Sequence, residues 1–266
     1  MPENKSSSTG IIVIVALAAI AVGFFIGKSS GDGNQQANNP EPRPKPEKTE
    51  SAEPKEPAFL KIGLVAHYPF NGNAKDESGK GHDGKVAGAE LSAGRFGQAK
   101  SSYTFAGGPI ELPKALAEKF GGDASITFSG WVKCPPNQAA KSNHIIFNTG
   151  ESSFNRSFSV FMERGNSAFS QYMDDSLNSK ITLSDDKWHH CAATFGDGKL
   201  SLFVDGTLAV TKEIRSNRSG RQALIGARFG GSAERWPGSI DDVRIYDRVL
   251  TADEVKALYD WEKPKP

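Results

Sequence analysis

The sequence predicts an all-β fold: a two-sheet antiparallel sandwich of jelly-roll type with a short C-terminal helix, preceded by one transmembrane helix and a disordered linker. Three observations carry that expectation. From Phe59 onward, short β-like runs are separated by Gly, Asn and Asp, and no long amphipathic helix occurs before Thr251. Residues 11–27 contain no charged side chain. Between the two, residues 28–57 shift to Pro, Glu and Lys, a composition that buries too little apolar surface to order itself.

The elements follow in order. Residues 1–10 are a short polar tail, read as cytoplasmic. As a helix rising 1.5 Å per residue, residues 11–27 cover about 26 Å, close to a hydrocarbon core of roughly 30 Å, and Thr9 and Gly10 can extend them. The nearest small-x-small cleavage pattern, Ala19-Ile20-Ala21, lies inside the apolar run and not after it, so the segment reads as an uncleaved signal anchor. Lys5 on one flank and Lys28 on the other barely decide its orientation. The linker 28–57 contains Asn39-Pro-Glu-Pro-Arg-Pro-Lys-Pro-Glu47, whose prolines favour extended chain, and it reads as a tether.

Residues 58–262 form the folded domain. Strand-like runs are Gly63–Phe70, Ser102–Phe105, Ser125–Lys133, His144–Asn148, Phe158–Glu163, Trp188–Phe195, Leu200–Val204 and Ala223–Ala227. Gly196-Asp-Gly-Lys199 and Asp205-Gly206 are hairpin turn signals, and Pro113–Phe120 can form a helical turn. The last strand, Ile240–Tyr246, places Asp241 on one face with Val243 and Ile245 if it alternates regularly. A buried carboxylate left unpaired costs several kcal/mol, so Asp241 requires a metal ion, a cationic side chain or several backbone donors. Thr251 and Glu254 have capping-box spacing, and Leu250 and Val255 occupy hydrophobic-staple positions. A helix from Thr251 to about Tyr259 follows.

Composition narrows the function. The net charge of +1 offers no basic surplus for nucleic acid. Cys134 and Cys191 fit no zinc or redox spacing; they can pair outside the cytoplasm, but two buried small hydrophobes is the preferred reading. Gly79-Lys-Gly-His-Asp-Gly84 matches a glycine-rich loop formally, yet it leads into no helix and reads as a turn. His189 and His190 are adjacent on a strand and point to opposite faces, so they cannot simply share a metal. Asp174-Asp175 and Asp185-Asp186 diverge likewise and read as turns, not as the facing carboxylates of a glycosidase.

Four blocks carry a resemblance. They are Gly63-Leu-Val-Ala-His-Tyr-Pro-Phe-Asn-Gly-Asn-Ala-Lys-Asp-Glu-Ser-Gly79, Ile126-Thr-Phe-Ser-Gly-Trp-Val-Lys133, Trp188-His-His190 with Phe203-Val-Asp-Gly206, and Gly238-Ser-Ile-Asp-Asp-Val-Arg-Ile-Tyr246. In this order they closely resemble the laminin G-like, concanavalin A-like jelly-roll family in its bacterial cell-surface form. The resemblance implies a domain outside the cytoplasm, periplasmic or at the cell surface, and so orients the anchor read at residues 11–27 in the inner membrane, with residues 29–266 outside. It also implies a structural calcium ion joining the first and last strands through Asn71, Asn73, Asp76 and Asp241, with an amide at 71 where family members often carry an acid. Asp76 and Ser78 making only turn hydrogen bonds is the alternative.

The glucanase E-x-D-x-x-E strand of related folds is absent, so no enzyme is expected. The expected function is a membrane-tethered, extracytoplasmic module recognising carbohydrate or an envelope protein, the alternative being a structural spacer. Candidate ligand-binding residues are Phe154, Arg156, Tyr172, Arg228 and Arg235, aromatics for stacking on sugar rings and arginines for polar contacts. Trp236 is read as core.

Overall fold

The computed structural model describes residues 56–136, 138, 143–151, 157–163, 167–172, 175–231 and 234–265. The expected tail 1–10, membrane segment 11–27 and almost all of the linker 28–57 lie outside the described residues, among which no helix is long and apolar enough to cross a membrane.

A single 3-10 turn (Ala58–Lys61) leads into β1 (Leu64–Tyr68), β2 (Lys85–Val86), β3 (Glu90–Ser92), β4 (Ser102–Thr104) and β5 (Ile110–Leu112). After α1 (Lys114–Glu118) come β6 (Ile126–Lys133), β7 (Asn143–Gly150), β8 (Ser157–Glu163), β9 (Ser167–Tyr172) and β10 (Asp175–Asn178). The chain continues through β11 (Trp188–Gly196), β12 (Lys199–Val204), β13 (Thr207–Glu213), β14 (Gln222–Ile225) and β15 (Ser239–Tyr246) to α2 (Ala252–Glu262). The larger antiparallel sheet has the order β13-β12-β11-β6-β15-β4-β3, with β1 also on β15; the smaller has β10-β9-β8-β7-β14-β5-β2. The all-β sandwich with a short C-terminal helix is therefore the observed architecture.

Alternation explains the core. Ile126, Phe128 and Val132 of β6, Cys191 and Ala193 of β11, and Ile240, Val243 and Ile245 of β15 meet Phe147, Phe158 and Val160 of the smaller sheet in one apolar cluster. Phe128 and Phe147 stack across the gap with centroids 4.8 Å apart. Burying each Val, Ile or Phe among them stabilises the fold by about 1.5–3 kcal/mol. The expected turns are present: Asp197-Gly198 and Asp205-Gly206 all have positive φ and join β11 to β12 and β12 to β13.

A second apolar cluster lies on the outer face of the larger sheet, where Leu60, Leu64, Phe203 and Tyr246 meet Leu250, Val255 and Leu258. The capping box forms as expected. Glu254 N–H donates to Thr251 Oγ1 at 3.2 Å, and Thr251 N–H donates to the Glu254 carboxylate at 2.9 Å. The helix extends to Glu262, past the expected Tyr259, because Glu262 docks on the sheet through bonds described below.

One expectation is corrected. Asp241 does not share a face with Val243 and Ile245. A bulge interrupts the β15–β6 ladder between Asp241 and Arg244, with Asp242 at φ +46°. The extra residue flips the side-chain period. Ile240, Val243 and Ile245 consequently all face inward, while Asp241, Arg244 and Tyr246 lie on the outer face, under α2 and the loop before β4. The strand start is equally constrained: a Cβ on Gly238 would sit 1.9 Å from the Lys133 carbonyl oxygen, so only glycine fits beside β6.

Candidate functional site

The outer face of the larger sheet carries a buried ionic network. Its centre is Arg95, from the loop between β3 and β4. Arg95 donates to Asp241 Oδ2 from Nη1 (2.9 Å) and from its backbone N–H (3.1 Å), to Asp242 Oδ2 from Nη2 (2.7 Å), and to the Glu262 carbonyl from Nε (3.0 Å). Asp242 Oδ1 faces His67 Nε2 of β1 at 2.7 Å. Arg244 donates to Glu262 Oε1 and Glu56 Oε1, both at 2.7 Å, and Trp131 Nε1 donates to Glu262 Oε2 at 3.0 Å. The beginning of the domain, its closing strand and its last helical turn are thereby joined.

The network is nearly dry. Asp241 is 2% exposed and Arg244 4%. Burial pushes the Asp241 carboxyl up to about 6 against the opposing pull of Arg95. Burial acts on Asp242 too, but the His67 hydrogen bond and the Arg95 and Arg244 charges hold it well below the usual carboxylate range. Burial raises Glu262, and Asp242 adds to the effect. Behind them His190, fully buried on Ser129 Oγ at 2.8 Å, is pushed down to about 4 by burial and stays neutral at pH 7.

Asp241 thus has the cationic partner its burial requires, and that partner is a guanidinium. Asp76 is saturated separately: its Oδ1 accepts the His67 and Ser78 N–H groups and its Oδ2 accepts Ser78 Oγ–H and the His82 N–H, all at 2.9 Å. Burial alone would raise Asp76, but these donors lower it. Asn73 Oδ1 accepts the Lys75 N–H at 2.8 Å, as in an Asx turn. Only Asn71 shares a cleft with Asp241, and Arg95 lines the same cleft. As arranged, Asn71, Asn73, Asp76 and Asp241 do not fit a calcium ion, which would have to displace four donors at one carboxylate and an arginine at the other. Among the described residues no group of three or more His, Cys, Asp or Glu side chains is placed to hold a metal ion.

The outer face of the smaller sheet is different. A cleft of about 130 Å³ is lined by Asn143 and Ile145 of β7, Ser157 and Ser159 of β8, and Arg228, Phe229 and Glu234 from the segment after β14. The strand Ser157-Phe-Ser-Val160 alternates strictly: Phe158 and Val160 enter the core, and the two serines face outward. Asn148 lies opposite Ser159 in the ladder and donates from Nδ2 to Ser159 Oγ. Its Oδ1 is buried with no hydrogen-bond partner among the described residues. Arg228 Nη1 donates to Glu234 Oε1 at 3.1 Å, holding one wall.

Of the residues expected to bind ligand, Arg228 lies in this cleft. Arg235 does not: it donates to the Gly231 and Ala106 carbonyls at 3.3 and 3.0 Å and braces a loop. Phe154 and Arg156 lie outside the described residues, and Tyr172 is placed only as the last residue of β9. Trp236 is fully buried, as expected, with Nε1 shared between the Lys133 and Ser239 carbonyls at 3.2 Å. Cys134 and Cys191, considered as a pair, are buried free thiols; burial pushes Cys134 up to about 12 and Cys191 up as well. Arg95 and the polar set Asn143, Asn148, Ser157, Ser159 and Glu234 were not anticipated. The serines were legible in the alternation of β8. Arg95 was legible only as one of several arginines able to answer Asp241.

The family model described as the concanavalin A-like lectin/glucanases superfamily, of laminin G type, matches residues 106–256. No curated protein sequence matches the chain. Among solved structures, domain 4 of AbnA, a GH43 extracellular arabinanase from Geobacillus stearothermophilus in complex with arabinotriose, superposes with a TM-score of 0.59 at 20% identity, covering 74% of this chain and 98% of that one. The binding domain of Paraclostridial Mosquitocidal Protein 1 gives 0.58 at 17% identity over 76% of this chain and 53% of its own. Trypanosoma rangeli sialidase, in complex with a sialic acid analogue, gives 0.55 at 17% identity, with 74% of this chain and 32% of the sialidase covered. The chain therefore spans about half of that binding domain and a third of the sialidase.

Proposed function

The chain belongs to the concanavalin A-like lectin/glucanases superfamily, and from that premise we propose that it is a carbohydrate-binding module whose site is the cleft on the outer face of the smaller sheet. The observation that carries the reading is the mixed polar and apolar lining of that cleft, where Asn143, Ser157 and Ser159 stand beside the Arg228–Glu234 pair, Ile145 and Phe229. A sugar hydroxyl donates and accepts at once, which suits a wall of hydroxyl and amide groups. Ile145 and Phe229 supply apolar surface for a ring face. Glu234 is the one carboxylate lining the cleft and it is held by Arg228, so the second carboxylate of a glycosidase has no counterpart among the lining residues. That supports binding over hydrolysis.

In this reading residues 11–27 hold the domain at the inner membrane and residues 28–57 space it outward, on the strength of their charge-free and proline-rich composition. The AbnA domain crystallised with arabinotriose makes arabino-oligosaccharides the first ligands to try. Calorimetric titration of neutral oligosaccharides, preceded by a glycan array, tests the proposal: saturable binding without product release is expected. Absence of binding to every envelope glycan would leave the domain a structural spacer, and turnover would make it an enzyme.

A further inference from the structure

A third cleft, of about 420 Å³, lies beside Leu64 and Val65 of β1 and shares no residue with the sugar cleft. Its walls carry Lys61 of the 3-10 turn, Lys80 and His82 of the glycine-rich turn, Lys119 after α1, and Asp247 after β15. Three ammonium groups thus face one carboxylate. Lys80 and Lys119 form no ion pair among the described residues, whereas Lys61 lies 3.6 Å from Glu56.

His82 is the built part of the site. It is only 9% exposed. Its Nδ1 lies 2.9 Å from the Val65 carbonyl, which can only accept, so Nδ1 carries a proton and Nε2 is left for the cleft without a partner among the described residues. The residue is fixed from its backbone as well: its N–H donates to Asp76 Oδ2 at 2.9 Å, and Tyr68 Oη–H donates to its carbonyl at 2.6 Å. Gly79 and Gly81, both at positive φ with open space where a Cβ would lie, let the turn bring Lys80 and His82 to the same side. The stretch Gly79–Gly84, which lacks the helix of a nucleotide-binding loop, is therefore a scaffold for a fixed imidazole and an exposed lysine.

We propose that this cleft binds a compact oxyanion, a phosphate or carboxylate group, between Lys80 and Lys119, with His82 joining as an Nε2–H donor when its imidazole carries a proton on both nitrogens. Charge-assisted hydrogen bonds from ammonium groups suit such a ligand, and the volume is that of a small-molecule pocket. The site is independent of the sugar cleft, so either assignment can fail alone.

The test is titration of the full-length chain with inorganic phosphate and, in a second arm, with galacturonate, at constant ionic strength, following the imidazole signals of His82 by NMR. Saturable shifts in either arm are expected, and the arm that binds more tightly names the source. In a Lys80→Gln/Lys119→Gln variant, whose altered side chains are exposed, binding should weaken about ten- to hundredfold, from the usual worth of charged hydrogen bonds. An Arg228→Ala variant should bind as the parent chain does. No shift with either anion, or shifts unchanged in the double lysine variant, would overturn the proposal.

Discussion

Two arginine–carboxylate arrangements occupy the two outward faces of this sandwich, and they are built to opposite ends. Arg95 on the larger sheet has a side chain only 7% exposed, and all three of its polar nitrogens are committed to Asp241, Asp242 and the end of α2. Arg228 on the smaller sheet has a side chain 37% exposed, bonds one carboxylate, and stands in the wall of an open cleft. The first face is closed by a helix and pairs its charged groups internally, with only the buried Tyr246 Oη and His190 Nδ1 left without a hydrogen-bond partner there among the described residues. The second stays open, with the Ser157 and Ser159 side chains lining the cleft beside Arg228. Within one fold, an ion pair sealed inside the protein holds the structure, and an ion pair standing in an open cleft is placed to meet something else.

The sharpest way to break the comparison is to exchange the fates of the two arginines. Arg95→Met leaves Asp241 and Asp242 buried without their shared cation and should cost about 3–5 kcal/mol, read as a large loss of melting temperature in calorimetry. Arg228→Ala removes a half-exposed pair and should cost under about 1 kcal/mol, while sugar affinity falls roughly tenfold with the lost polar contact. If Arg228→Ala destabilised the domain as much as Arg95→Met, the two faces would not differ in the way described.

A smaller effect comes from His189, whose Nδ1 and Nε2 face Asp205 at 2.9 Å and Asp185 at 3.1 Å. The Asp205 hydrogen bond leads in raising this imidazole above its usual 6.5, outweighing burial. A raised histidine contributes stability that is fully present below its unfolded value and is lost as pH rises through the folded one. Denaturant unfolding should therefore show the parent chain losing under about 1 kcal/mol, relative to His189→Gln, as pH rises above 6.5. The smallest expected effect is none: with Arg95 on Asp241, adding a chelator should leave the melting temperature unchanged, and a fall would restore calcium as the link between the first loop and the closing strand.

The fold was legible because its signals are local. Alternation in β6, β8, β11 and β12, the two Asp-Gly turns, and the Thr251–Glu254 cap each specify their element without help from the rest of the chain. Several strands escaped notice: β2, β3 and β5 are only two or three residues long, β13 is exposed or half-exposed throughout, and β9, Ser167–Tyr172, was also missed. Asp175, taken with Asp174 as a turn, begins β10. The site was less legible. Asp241 announced that it needed a partner, but a bulge at Asp242 moved it to the opposite face, and a single inserted residue leaves no trace in a periodicity count. Arg95 lies 146 residues away from it, a pairing that only the sheet order creates.

The division between a sealed face and an open one is tested most directly by hydrogen exchange of the chain with and without a bound oligosaccharide. Added protection confined to β7, β8 and the segment after β14, with β15 and α2 already slow and unchanged, is the predicted result. Protection appearing at β15, Arg95 and α2 while β7 and β8 stay unaffected would contradict it.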